Sequence, residues 1–238
     1  MNRALFLQRL TSFRGYEVRK SDARRQSFHM KKLGVDLVFD IGANTGQFAK
    51  ALRKQGYKGT IVSFEPQKAT HEKLVLNAQH NKNWIVHSPV ALGAKKENAT
   101  LNISLNSVSS SLLQVSKASI EAQPSTNYVG VESIQVITFD EVFPMYQHLG
   151  KCVALKIDCQ GFEKQVLLGA QDSLKNNINM LIVEMSLIEV YEGSPKISEL
   201  LEFLGRFHFK LWDIFPGFRN NATGRLLQAD GLFQRTID

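Results

Sequence analysis

From residue 35 onward, short apolar runs alternate with segments of helix length, and this rhythm confines the chain to a mostly parallel sheet with helices on both faces. Residues 35–41 predict a buried strand, 45–55 a helix, 59–64 a second strand, and 68–79 a helix that opens cleanly after Pro66. A third strand is expected over 84–92. Residues 93–135 break the pattern, being rich in Ser, Asn and Gln, with alternation at 99–105 and 129–136 that predicts β structure around a loop. They read as an insertion or lid. The rhythm then returns with a short helix from Asp140, a strand at 153–157, a helix at 162–168, a strand at 180–184, a helix at 197–206, and strands at 209–215 and 232–236.

A chain of 238 residues, 43% of them hydrophobic, buries one sizeable core, so a single α/β domain over 35–238 is expected. Residues 1–34 stand apart as a basic extension. They hold nine lysines and arginines against Glu17 and Asp22, while the remainder holds 20 charges of each sign, so the net charge of +7 belongs to this segment. One expectation is a solvated tail. The sharper one is an anionic partner or a membrane surface, met by the basic residues together with Leu5, Phe6, Leu10 and Phe13. No second basic cluster with interleaved aromatics follows, which argues against nucleic acid as a partner.

No run of about 18 apolar residues is present. Arg3 and Arg9 interrupt the N-terminal apolar stretch too early for a secretory segment, so a soluble, cytoplasmic protein is expected. Cys152 and Cys159 read as small, reduced core residues. The six histidines are scattered without zinc-binding spacing, and no metal is expected.

The first strand runs into Asp40-Ile41-Gly42-Ala43-Asn44-Thr45-Gly46. A strand, a glycine-bearing turn and a helix create the geometry in which backbone N–H groups and a helix N-terminus meet a polar ligand group. Gly42 and Gly46 permit close backbone approach, and Asn44 is among the few side chains that tolerate positive φ. Gly46 is followed by Gln47-Phe48, without the Gly-Lys-Ser/Thr ending of a phosphate loop, and the G-x-G-x-x-G spacing of a dinucleotide site is missing. A nicotinamide-dependent dehydrogenase is excluded on that spacing. Asp40 would repel a pyrophosphate and suits an ammonium or sulfonium group. Glu65 ends the next strand 25 residues later, where an acid accepts both hydrogens of a ribose diol. The pair fits an amino-acid-bearing nucleoside.

Six motifs then occur in order: Asp-Ile-Gly-Ala-Asn-Thr-Gly-Gln-Phe at 40–48, Phe-Glu-Pro at 64–66, Ala-Leu-Gly at 91–93, Ser-Ser-Leu at 110–112, Lys-Ile-Asp-Cys-Gln-Gly-Phe-Glu at 156–163 and Tyr-Glu-Gly at 191–193. Together they resemble the FkbM-type methyltransferases over about residues 35–238. The resemblance implies a class I methyltransferase fold, Rossmann-like, with a seven-stranded mostly parallel sheet whose last strand is antiparallel. It also implies S-adenosylmethionine as cofactor, with Asp40, Gly42, Asn44 and Gly46 at the methionine part, Glu65 and Pro66 at the ribose, and Ala91 near the adenine. Cys159 stands where the family more often has valine. The stretch Ser107-Val108-Ser109-Ser110-Ser111 gains a role by the same likeness, Ser110 toward cofactor and Ser111 toward acceptor.

In that topology Asp158 ends a strand beside the first and points into the crevice where the ligand sits. Lys156 shares its side-chain parity on a strand of period 2. Glu163, which also suits the dipole of the helix it opens, and Glu184, at the end of the following strand, are further candidates for substrate contact. Tyr191, Trp212, Phe215 and Phe218 are candidates for stacking on a sugar face, against the commoner fate of core packing. The expected activity is O-methylation of a hydroxyl on a sugar, polyketide or other small metabolite, with Asp158 as base or relay and Lys156 tuning its charge. The alternative is a catalytically quiet protein that binds the cofactor as a sensor or partner subunit.

Overall fold

The computed structural model describes residues 21–106 and 108–236. Residues 1–20, with the apolar positions expected to face an anionic surface, lie outside the described residues, as does Ser107. The first helix among the described residues, α1 (Asp22–Leu33), closes on Gly34 at φ 78°, a left-handed conformation whose N–H reaches the carbonyls of Lys31 and Met30. The chain continues through β1 (Leu37–Ile41), α2 (Gln47–Lys54), β2 (Thr60–Phe64), α3 (Lys68–Ala78) and β3 (Trp84–Val86). The inserted region holds β4 (Ala91–Leu92), β5 (Glu97–Ser104), α4 (Lys117–Ala122) and β6 (Tyr128–Ile137). The remainder is α5 (Phe139–Tyr146), β7 (Val153–Ile157), α6 (Glu163–Leu168), α7 (Gln171–Asn176), β8 (Ile178–Ser186), α8 (Ile197–Gly205), β9 (Phe209–Pro216) and β10 (Gln228–Arg235).

Seven strands form the main sheet in the order β3-β2-β1-β7-β8-β10-β9. The pairings from β3 through β8 are parallel, and β10 runs antiparallel to both of its neighbours. This is the sheet that the motifs implied. All five positions of β1 are buried because both of its faces are covered. Alternation sends Leu37, Phe39 and Ile41 into one apolar cluster and Val38 into the other, which leaves Asp40 on the side of Val38. The chain order reverses beside β1, so the carboxyl ends of β1 and β7 frame a crevice.

The stretch 84–92 is two strands, not one. Pairing with β2 ends at Val86, one residue before the His87 N–H makes a last bond to Ser63, and Pro89, which has no N–H to give a ladder, lies between the two strands. Ala91 and Leu92 pair instead with Val136 and Ile137, joining a separate three-stranded sheet, β4-β6-β5. The insertion is therefore anchored on its own small sheet. Thr138 and Glu141 then form a reciprocal capping box that starts α5 one residue before Asp140.

Residues 22–33, which the charge pattern grouped with the basic extension, form a helix docked on the domain. Met30 is fully buried in the cluster of Val38, Ala49, Leu52 and Leu232. Asp213 on β9 receives both Arg25, which also lies over the Phe215 ring at 4.7 Å, and His29 Nε2 at 3.0 Å. Asp213→Ala removes the shared acceptor and leaves two donors against the sheet edge. Such a loss is expected to destabilise the fold by about 1–3 kcal/mol, read as a drop of several degrees in the melting midpoint. An unchanged midpoint would show that apolar packing alone holds the helix. Among the described residues, no helix is long and apolar enough to cross a membrane.

Candidate active site

The loop after β1 has a backbone that most side chains cannot adopt. Gly42, Asn44 and Gly46 sit at φ 73°, 48° and 85°. A Cβ on Gly42 would lie 1.9 Å from the Asp158 carbonyl oxygen, so only glycine lets the β1 and β7 loops touch. Gly46 caps α2 against the Trp84 ring, behind the crevice wall. The Asn44 side chain accepts the Thr45 N–H at 2.7 Å, which steadies the positive-φ turn. Gly42 and Ala43 donate their N–H groups to the Phe64 carbonyl, tying the loop to β2.

Glu65 is buried at the end of β2. One of its oxygens accepts the Asn44 N–H at 2.9 Å and the other the Gln67 N–H at 3.0 Å. Each carboxylate oxygen keeps a further lone pair for a ligand hydroxyl. Burial pushes its pKa up to about 7 in spite of those two hydrogen bonds.

Asp40 differs from its expected place. It is fully buried and lies beneath the crevice wall, so it does not reach a ligand directly. In register with it on β7 is Lys156, whose Nζ lies 3.3 Å from Asp40 Oδ1 and 3.3 Å from Asp158 Oδ2. Lys156 therefore stands between the buried acid and the half-buried one. Burial opposes the ammonium, but Asp158, Asp40 and Asp230 outweigh it and hold the pKa above the ordinary lysine value. Burial pushes Asp40 upward, and Lys156 opposes that shift.

The segment after β7 turns through Gln160 and Gly161 at φ 55° and 98°. Gln160 Nε2 donates to Asp158 Oδ1 at 2.7 Å and to Glu184 at 3.1 Å, while its Oε1 accepts the Tyr191 hydroxyl at 2.7 Å. Both oxygens of Asp158 are thereby aimed. Glu163, a candidate for substrate contact, is turned inward instead. Its Oε1 accepts the N–H groups of Cys159 and Gly161, so it shapes the loop. Cys159 packs against the core cluster and also lines the crevice wall, with its thiol pushed well up by burial and by Glu163 and Asp158. Both cysteines are unpaired.

Two clefts meet at Asp158 and Gln160. The larger, about 440 Å³, takes Gly42, Asn44, Glu65, Pro66 and Ala91 into its wall, with Ser110 and Ser111 of the insertion closing over it. The smaller, about 200 Å³, contains Glu184 and is walled largely by the insertion and the segment from β8 onward. Ser110 Oγ accepts the Ser104 N–H, and Ser111 Oγ donates to the Gln160 carbonyl at 2.6 Å. Of the aromatics, Tyr191 and Phe218 line the smaller cleft, whereas Phe215 is core and Trp212 is exposed.

Two residues of the larger cleft escaped the sequence reading. Asp230 on β10 has its pKa pushed up to about 7 by burial and by Asp158. An acid inside the apolar run Ala229-Asp230-Gly231-Leu232-Phe233 was the available signal. Gln26, buried on α1, gave none, because nothing local shows that a basic segment folds back across the sheet. Among the described residues, no group of three His, Cys, Asp or Glu side chains is arranged to hold a metal ion.

The family model described as the methyltransferase FkbM domain matches residues 40–211. The chain belongs to the FkbM methyltransferase family. Its cofactor is S-adenosylmethionine. Among solved structures, fibrillarin from Aeropyrum pernix with natively bound S-adenosyl-L-methionine is 11% identical, with 89% of this chain and 76% of that one covered, at a TM-score of 0.47. A TehB-like SAM-dependent methyltransferase from Corynebacterium glutamicum is 12% identical, covering 98% of this chain and 97% of that one at 0.42. Precorrin-6y C5,15-methyltransferase from Geobacter metallireducens is 9% identical, covering 92% and 90% at 0.46. No curated protein matches the chain.

The crevice suits this family's cofactor chemically. Glu65, Asp158 and Asp230 line the larger cleft with Lys156 as the cation among its described lining residues, so the wall favours a ligand of net positive charge.

Proposed function

We propose that this FkbM-family protein is an O-methyltransferase acting on a hydroxyl of a sugar, polyketide or other small metabolite. The observation that carries the reading is the Asp158 carboxylate, half-buried at the wall that the two clefts share, with one oxygen held by Gln160 and the other facing Lys156. In this reading Gly42, Asn44 and Lys156 flank the methionine part of the cofactor, Glu65 and Pro66 the ribose, and Ala91 and Ser110 the adenine end. Asp40 acts from beneath by fixing Lys156. A cytoplasmic setting, where thiols stay reduced, fits the two unpaired cysteines.

S-adenosylmethionine held in the crevice would supply an electrophilic methyl group, the electron pair of its carbon–sulfur bond staying with the sulfur. Asp158 takes the hydroxyl proton at Oδ2, and Lys156 holds that oxygen in position until the transfer. The insertion excludes water and fixes the angle of approach, where much of the rate arises. Calorimetry with S-adenosylmethionine, followed by methyl release on a panel of hydroxylated acceptors, tests the whole reading. Binding without transfer to any acceptor would favour the sensor alternative.

A pH dependence follows from the crevice acids. Glu65 and Asp230, both pushed up to about 7 chiefly by burial, lose protons more readily in the complex, Glu65 because ribose hydroxyls donate to its carboxylate and Asp230 because a cation enters the cleft. Binding therefore releases protons, and affinity rises with pH between about 6 and 7.5, by up to about tenfold per unit for each group involved. Calorimetry in buffers of different ionisation heat reads the proton count directly. Proton uptake, or an affinity flat across that range, would contradict the assignment.

A further inference from the structure

The smaller cleft has a wall unlike that of the larger one. From the insertion it takes Ser109, Ser119, Gln123 and Thr126, and from the strands Glu184 and Gln228. Ser119 Oγ is fully buried and has no hydrogen-bond partner, although it lines an open cleft. A buried hydroxyl left in that state signals a partner that arrives from outside. Gln228 Nε2 donates to Glu184 at 2.8 Å, and Gln160 is pinned between Glu184 and Tyr191, so the amides around Ser119 are already oriented.

Neither lysine nor arginine occurs among the described residues of this wall. A phosphorylated or sulfated acceptor would meet Glu184 and Asp158 with no cation in this wall, Lys156 lying in the wall of the larger cleft, and so would a nucleic-acid strand. A flat apolar acceptor would strand the hydroxyls and amides, each such loss weakening binding by about an order of magnitude. Phe218 and Val190 supply one apolar side. At about 30 Å³ per water in the liquid, the cleft holds roughly six or seven waters, the room of one six-membered ring with its hydroxyls.

We propose that the acceptor is a neutral polyhydroxylated ring seated in this second cleft, with Ser119, Gln123 and Gln160 reading its hydroxyls and Asp158 facing the one that is methylated. The inference deepens the methyl-transfer reading and rests on it. The insertion is then the specificity element, since α4 and the turn after it bring Ser119, Gln123 and Thr126 to the site.

Saturation-transfer NMR on the full chain with S-adenosylhomocysteine bound tests it, using methyl hexopyranosides, hexose phosphates, catechol and a short RNA as probes. Saturation of the hexopyranoside ring protons is expected, with none on the phosphates or the RNA. Ser119→Leu fills the cleft and should abolish the signal, and Gln123→Ala, at a half-exposed position that tolerates truncation, should weaken it by about tenfold. Calorimetry should show S-adenosylmethionine binding both variants as it binds the native chain. A hexopyranoside signal that survives both variants overturns the proposal. So does a preference for catechol, phosphate or RNA while the cofactor binds normally, an outcome that leaves methyl transfer standing. Failure of the native chain to bind S-adenosylmethionine removes the methyl-transfer reading itself, and this proposal with it.

Discussion

Replacing Asp158 with asparagine is expected to lower turnover by about 10²–10⁴-fold, with a much smaller loss of cofactor affinity, about tenfold, from the wall charge removed. The substitution is close to isosteric and keeps Oδ1, which still accepts Gln160 Nε2. It changes the oxygen facing Lys156 at 3.3 Å into an amide that takes no proton. The predicted loss in turnover corresponds to about 3–5 kcal/mol of barrier. Single-turnover methyl transfer measures it without interference from product release. Turnover within about tenfold of the native chain would mean that alignment alone drives the reaction and that Asp158 only orients the acceptor. A raised KM with unchanged kcat would point the same way. Asp158 is half-buried, so the fold should tolerate the change and the kinetic reading stays clean.

The backbone of the crevice was legible because its constraints are local. Gly42, Asn44 and Gly46 announce positive φ within one turn, and period-2 alternation puts Lys156 and Asp158 on one side of β7. Depth was not legible. The same alternation that orients Asp40 says nothing about how far below the crevice it lies, since that depends on α2 and Lys156 covering it. Pro89 was visible as a ladder breaker, yet the apolar run around it argued for continuity, and only the partner at Val136 decides where Ala91 goes. The helix α1 escaped for a different reason. Its charge reads as solvated, while its docking depends on Asp213, more than 180 residues away. Gln26 reaches the crevice through the docking of this helix, to which Met30 contributes as well. The insertion's composition suggested a lid, but the orphaned Ser119 hydroxyl is a property of packing, not of sequence.

Lys156→Met should damage the fold severely, although it is nearly volume-conserving. The ammonium holds Asp40, which is wholly buried, and its neighbours Asp158 and Asp230 push its pKa upward along with Asp40. Removing one partner of a buried pair leaves the other without compensation, at a cost of about 3–5 kcal/mol, or a fall in melting midpoint of about 6–20 °C for a chain of this size. The sign of its pH dependence can be worked out. Without Lys156, burial raises the Asp40 pKa further above its unfolded value. The penalty then grows as pH rises through the folded value and vanishes below the unfolded one. The variant should approach the native midpoint toward pH 4 and diverge from it toward pH 8. Adding Asp40→Asn removes the stranded charge, so the double variant should recover most of the loss at neutral pH and show little pH trend. A single variant as stable as the native chain at pH 8 would mean that water reaches Asp40 and that Lys156 is held in place for the site rather than for the fold.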